Sequence, residues 1–296
     1  RCSVPVSIFC IFFLPQFYLC YSILKMQAKT YRLGLLSYVL YLLTTQSLLC
    51  EVKPSVTFTE VENPKSVLFI GNSFFYYNNG VHKPLLGMVK ANKSLGSGHR
   101  FRNITINSSS LEWHDVESYV TNEKIGSFSI TSKNKYKRYQ PESYELAIMM
   151  DCSQCPIHQD RKDLFNFYVD SHSKTLRDNG VEPSLLMTWA YKDKPEMIDE
   201  LASAYLTAGN RNKLMVFPVG LAFKMSSEIY PYIELYTPDK RHPSKEGTYL
   251  MASVLYSSIY NMSPIGNLYD YGLSSGTQEK LQKIAWKTLN NYRNSK

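Results

Sequence analysis

Two stretches of the chain carry residue types able to perform acyl transfer. The first is Phe69-Ile70-Gly71-Asn72-Ser73-Phe74, where an apolar run over 67–70 stops abruptly at Gly-Asn-Ser. A serine at the end of a strand and the start of a helical segment can attack a carbonyl carbon while its own backbone N–H faces the oxyanion that forms. A serine in that place is also an ordinary helix cap. The second stretch is Thr237-Pro238-Asp239-Lys240-Arg241-His242-Pro243-Ser244. Asp239 and His242 stand three apart on a loop, just ahead of a helix that Ser244 would cap. A carboxylate on one ring nitrogen fixes the tautomer of a histidine and leaves the other nitrogen free to act as a base. D-x-x-H alone is equally the pattern of a surface ion pair. Serine after the first strand and D-x-x-H after the last, in that order, is far more specific than either.

The elements that must position these groups follow an alternating pattern. Apolar or β-branched runs at 67–70, 101–106, 146–150, 184–189 and 214–218 read as strands, the first buried on both faces because it has no polar alternation. Helical spacing is expected over 84–91, 163–179, 195–208, 221–229, 244–260 and 278–292, with Gly180 and Gly209 as C-terminal stops. Gly71 is expected to let the chain turn sharply where open α/β sheets place their ligands. Strands alternating with helices at this spacing predict an α/β fold, a doubly wound parallel sheet of about five strands between helices. Residues 121–143 are polar and rich in Lys and Ser and read as a surface excursion.

The 296 residues suffice for one large domain or two small ones, with 44% hydrophobic and 14% aromatic content. The formal charge of +8 is uneven. Arg1, Lys25, Lys29 and Arg32 precede the first acid, Glu51, which leaves +4 for 51–296, interspersed with acids. No basic stripe of the kind that binds nucleic acid is present. Residues 1–50 read as a hydrophobic N-terminal segment and 51–65 as a linker. Met26, Lys29 and Arg32 ahead of the apolar 33–50 have the layout of a secretory signal starting at Met26, cleaved between Thr45 and Glu51. An uncleaved signal anchor is the rival, giving a membrane-anchored rather than secreted or periplasmic protein. Four of six cysteines fall in this segment. Cys152 and Cys155 form a C-x-x-C without a second Cys/His set, so zinc is not expected, and an incidental pair or a local disulfide is.

The two chemical blocks together resemble those of SGNH (GDSL-type) hydrolases, in the form with Asn before the serine. Met187-Thr188-Trp189-Ala190, Pro218-Val219-Gly220-Leu221-Ala222-Phe223 and Gly247-Thr248-Tyr249-Leu250 are similar to segments of a bacterial-type subgroup. The likeness spans about 66–266, within a hydrolase-like domain at 66–296. It implies a flavodoxin-like three-layer α/β/α fold and a metal-free, cofactor-free serine esterase acting on small acyl esters, O-acetyl carbohydrates among them. Ser73 maps onto the nucleophile, His242 onto the base and Asp239 onto the orienting carboxylate. The oxyanion hole maps onto the Ser73 backbone N–H, onto Ser109 within Ser108-Ser109-Ser110 and onto Ser153, or its neighbour Gln154, within Asp151-Cys152-Ser153-Gln154. The family's usual Gly and Asn stand at neither of the last two. Trp113, His114 and Tyr76 are candidate substrate contacts, Tyr77 is expected beside Tyr76 in lining an acyl or sugar pocket and His158 to approach from the third loop, while His82, His99 and His172 are expected to be incidental. A non-catalytic protein binding a glycan or a protein partner is the competing reading.

Overall fold

The computed structural model describes residues 52–121, 127–130, 135–139 and 143–295. The predicted signal or anchor segment lies outside these residues. In chain order the elements are β1 (Ser66–Gly71), α1 (Ser73–Tyr76), α2 (His82–Ala91), β2 (Arg100–Thr105), α3 (Val116–Thr121), β3 (Ser127–Ile130), β4 (Tyr136–Tyr139), β5 (Leu146–Met149), α4 (Lys162–Asp178), β6 (Glu182–Leu186), α5 (Met197–Asn212), β7 (Met215–Phe217), α6 (Val219–Ile229), α7 (Lys245–Tyr260) and α8 (Ser275–Asn294).

Five strands form one all-parallel sheet in the order β2-β1-β5-β6-β7. Helices α2, α6, α7 and α8 pack together on one face, and α3, α4 and α5 on the other. This is the three-layer α/β/α arrangement expected from the alternation. Every residue of β1 is buried, as is every residue of β5, because both faces of a parallel strand are covered. The chain runs from β1 to β2 on one side and returns to β5 on the other. The carboxyl end of β1 is therefore the topological switch point, where sheets of this class bind ligands.

Several details differ from the sequence reading. Residues 121–143 include an antiparallel two-stranded hairpin, β3 with β4. The fourth strand of the sheet runs from Glu182 to Leu186, and 187–189 leave it to form the next loop. Helix α5 does not stop at Gly209 but continues to Asn212, ending on Lys213 in the left-handed region at φ 54°. Gly209 is instead a point of close approach, since a Cβ there would lie 2.4 Å from Val216 Cγ2. Gly71 likewise is not needed for a left-handed turn. A side chain on it would crowd Phe75 at 2.9 Å and the Met150 carbonyl at 3.2 Å. The segment read as a linker is pinned to the body. Glu182 accepts the backbone N–H groups of Glu60 and Val61, both at 2.8 Å, and Asn210 accepts that of Ser55 at 2.7 Å. Val52–Lys296 form one compact unit.

Candidate active site

The nucleophile candidate is fixed by the residue before it. Asn72 is the N-cap of α1, and its side-chain oxygen accepts from Phe74 N–H at 3.2 Å. Its amide donates to the Ser109 carbonyl at 2.9 Å and the Asp151 carbonyl at 3.2 Å. One buried side chain thus ties together the loops after β1, β2 and β5. Ser73 is therefore not the cap but the first helical residue. Its backbone N–H is among those that a helix start leaves without an intrahelical acceptor.

Ser73 Oγ lies 2.8 Å from His242 Nε2, and His242 Nδ1 lies 2.5 Å from Asp239 Oδ2. An ionised carboxylate only accepts, so Nδ1 carries the proton and Nε2 accepts from the serine hydroxyl. The other carboxylate oxygen, Asp239 Oδ1, takes Thr237 Oγ1 at 2.8 Å, Arg241 N–H at 2.9 Å and His242 N–H at 3.0 Å. Partial burial alone would push this carboxyl up. The hydrogen bonds from the His242 ring, the two backbone amides and Thr237 outweigh it and hold Asp239 well below the usual carboxylate range.

The loop carrying Asp239 and His242 is braced on itself and on the body. Thr237 N–H donates to the His242 carbonyl at 2.9 Å, and Tyr236 bridges Pro243. Lys240 turns the chain at φ 65°, and its carbonyl accepts from Lys192 N–H at 3.0 Å. Trp189, fully buried, donates its indole N–H to the Arg241 carbonyl at 2.9 Å. It stacks between Phe74, at 4.5 Å, and Phe223, at 4.4 Å. Phe74 follows the nucleophile and also meets the His242 ring edge-on at 5.4 Å. The apolar column thus joins the serine end of the site to the histidine end.

Tyr77 stacks on the open face of the His242 ring, with centroids 4.1 Å apart and planes at 10°. The sequence offered Tyr77, with Tyr76, as a residue lining an acyl or sugar pocket, but not as a partner of the His242 ring. Tyr76 stacks on Tyr77 and donates its hydroxyl to Asn107 at 2.8 Å. Trp113 is exposed.

The second-strand loop holds the other candidates differently. Ser109 is fully buried; its N–H donates to the Ile106 carbonyl at 3.2 Å and its hydroxyl to the Gly71 carbonyl at 3.3 Å. Neither donor is free to meet a substrate oxygen, which departs from the expected oxyanion role. His114 is buried, with Nε2 3.0 Å from Ser109 Oγ and Nδ1 3.2 Å from Tyr119 Oη. It is part of the core rather than an exposed substrate contact. Burial, with help from the charge of His172, lowers its pKa to about 4. His172, expected to be incidental, is buried too and bonds the Leu111 carbonyl at 2.9 Å.

In the loop after β5, Asp151 is buried and its Oδ1 accepts from Leu111 N–H at 3.0 Å and Cys152 N–H at 2.6 Å. Burial pushes its carboxyl up to about 6, against those two amides and Arg161. Cys152 and Cys155 are joined in a disulfide. The Ser153 hydroxyl is bonded to Tyr191 Oη at 2.6 Å. His158 is exposed and accepts from Asp160 N–H at 3.2 Å. A cavity of about 320 Å³ is lined by Tyr191, Ile198, Phe223, Ile233 and Tyr236, and neither Ser73 nor His242 lines it.

No protein-family model and no curated protein matches the chain. Among solved structures, a DUF4886 family protein from Bacteroides uniformis is similar at 16% identity and a TM-score of 0.54, covering 76% of this chain and 94% of its own. A catalytic mutant of an acetylxylan esterase from Geobacillus stearothermophilus superposes at 12% identity and 0.48, over 69% and 98%. A psychrotrophic esterase from a Pseudoalteromonas species does so at 13% and 0.46, over 67% and 97%. At these identities the first likeness shows a shared fold, and the other two add nothing to it. Among the described residues no helix is long and apolar enough to cross a membrane.

Proposed function

We propose that the protein is a serine esterase of SGNH type that hydrolyses small acyl esters through an acyl-enzyme. The observation that carries this reading is the continuous relay from Ser73 Oγ through His242 to Asp239, at 2.8 and 2.5 Å. Ser73 Oγ attacks the ester carbonyl carbon as its proton passes to His242 Nε2. Asp239 stabilises the imidazolium. The alcohol leaves with that proton, and water, deprotonated by the same nitrogen, then releases the acid and restores Ser73. The developing oxyanion meets the Ser73 N–H, with Ser153 or Gln154 as the expected second donor.

O-acetyl carbohydrates are the substrate class we favour. Support comes from the exposed Tyr76, stacked on Tyr77, which is itself stacked on the base. An aromatic face beside the reacting atoms suits a sugar ring, with one side apolar and hydroxyls free at its rim. Export and any anchoring depend on the N-terminal segment and belong to this proposal as well. Hydrolysis of p-nitrophenyl acetate and butyrate, beside a Ser73→Ala control, tests the reading. Activity lost in the control, with acetate preferred, supports it.

One observation favours a second reading, a weak or inactive protein that binds a glycan or protein partner. The N–H and hydroxyl of Ser109, where one oxyanion donor was expected, are already engaged, and a missing oxyanion donor typically lowers the rate ~10²–10³-fold. Equal background rates in wild type and Ser73→Ala would favour it.

A further inference from the structure

The loop from Cys152 to Cys155 is linked through contacts to residues that flank each half of the relay. On the nucleophile side, Asp151 leads into the bridge. Its carbonyl accepts from Asn72, and its carboxylate holds the N–H of Cys152. Asn72 in turn caps the helix that begins at Ser73. On the base side, the Ser153 hydroxyl bonds Tyr191 Oη, and the Arg241 guanidinium lies 4.7 Å over the Tyr191 ring. Arg241 stands between Asp239 and His242 and gives its N–H to Asp239. Within the loop, Cys155 N–H also bonds Cys152 Sγ at 3.0 Å.

A disulfide closing so short a loop removes little freedom from the unfolded chain, since that effect grows with loop length. Its consequence is local. Four residues are held in one conformation, and Ser153 can reach Tyr191 while Asp151 stays on Asn72. We propose that the Cys152–Cys155 disulfide is a redox-sensitive clamp that positions Ser73 and His242 relative to each other, so that a dithiol reductant lowers turnover. The inference rests on the reading of Ser73 as nucleophile. The cysteines are positioning residues and take no part in bond making. In the reduction, a dithiol such as dithiothreitol supplies two electrons and two protons. The Cys152–Cys155 S–S bond breaks, two thiols form, and the reagent closes to its own cyclic disulfide.

The test uses the full chain in three forms: oxidised, reduced with dithiothreitol and then desalted, and a Cys152→Ser/Cys155→Ser double variant. Each is assayed with p-nitrophenyl acetate and by amide hydrogen exchange, with Ser73→Ala as blank. The expected result is a kcat lowered roughly tenfold to a hundredfold in the reduced and double-variant forms, as small misplacements of reacting groups produce. KM stays within about twofold, because the aromatic contacts proposed for substrate, Tyr76 and Tyr77, lie outside the loop, and Ser153 or Gln154 would meet the oxyanion only in the transition state. Reoxidation with glutathione disulfide restores kcat in the reduced form only. Exchange quickens in peptides covering 72–75 and 239–242. Unchanged kcat with unchanged exchange in those peptides overturns the clamp. So does a kcat loss that reoxidation fails to reverse. If wild type is no faster than Ser73→Ala, the esterase reading fails. The exchange arm then decides the clamp by itself, quickened exchange upholding it and unchanged exchange overturning it.

Discussion

The molecule holds two serine–histidine pairs of nearly equal length, Ser73 with His242 at 2.8 Å and Ser109 with His114 at 3.0 Å. They differ in every other respect that matters to chemistry. His242 has a carboxylate on its second nitrogen and is only partly buried, whereas His114 has the Tyr119 phenol and is buried. The Ser73 hydroxyl is free to give its proton to the ring. The Ser109 hydroxyl instead lies between two acceptors, the Gly71 carbonyl at 3.3 Å and His114 Nε2 at 3.0 Å. A close Ser–His contact is thus no sign of a nucleophile by itself. A carboxylate on the second ring nitrogen and a partly exposed ring distinguish the first pair from the second. Here the second pair sits directly beneath the first, because Asn72 donates to the Ser109 carbonyl.

Substitutions break this comparison most strongly at the first pair. Ser73→Ala or His242→Ala is expected to lower kcat by roughly 10⁶, as in other serine relays, whereas Ser109→Ala is expected to change it less than about threefold. Steady-state kinetics on p-nitrophenyl acetate separates these outcomes. Asp239→Asn keeps the shape but removes the anionic acceptor, and a loss of about 10⁴ in kcat is expected. A loss under tenfold would mean that the carboxylate does not orient the base.

The buried groups around the second pair act on stability instead, and with opposite signs in pH. Asp151 has a folded pKa of about 6, above its unfolded value. The native state therefore binds its proton more tightly, and the contribution to stability is full below about pH 4 and lost as pH rises through 6. Relative to wild type, Asp151→Asn should gain up to about 3 kcal/mol between pH 4 and 7, the equivalent of a two-unit shift, read by urea unfolding. His114 is the reverse, with a folded pKa of about 4 lowered by burial and His172. Its contribution is full above about pH 6.5 and falls away as pH drops toward 4. His114→Gln should therefore gain on wild type in that acid window. Coincident slopes for the two variants would contradict both assignments. The smallest effect is expected from Tyr119→Phe, which removes one partner of His114 and should cost about 1 kcal/mol with no change in kcat.

The fold was largely legible, because the apolar runs that became β1 and β5 need no context to read as doubly covered strands. The pairing of β3 with β4 was not, since the alternation of Ser127-Phe128-Ser129-Ile130 runs for only four residues within a stretch rich in Lys and Ser. The residues of the relay stood out because Ser73 ends a strand and Asp239 and His242 share one turn. What supports them was hidden, since it depends on distant contacts. Nothing near Asn72 says that its amide reaches the loops after β2 and β5. Trp189 gives no local sign of stacking between Phe74 and Phe223. Gly71 and Gly209 carried the right residue type for a different reason, close packing rather than a left-handed turn.

The most direct test of the central claim is covalent trapping with a fluorophosphonate, followed by intact mass and peptide mapping. One adduct is expected, on the peptide containing Ser73, absent in Ser73→Ala, unaffected in Ser109→Ala and strongly slowed in His242→Ala. No adduct, or one on Ser109 or any other serine, would contradict it.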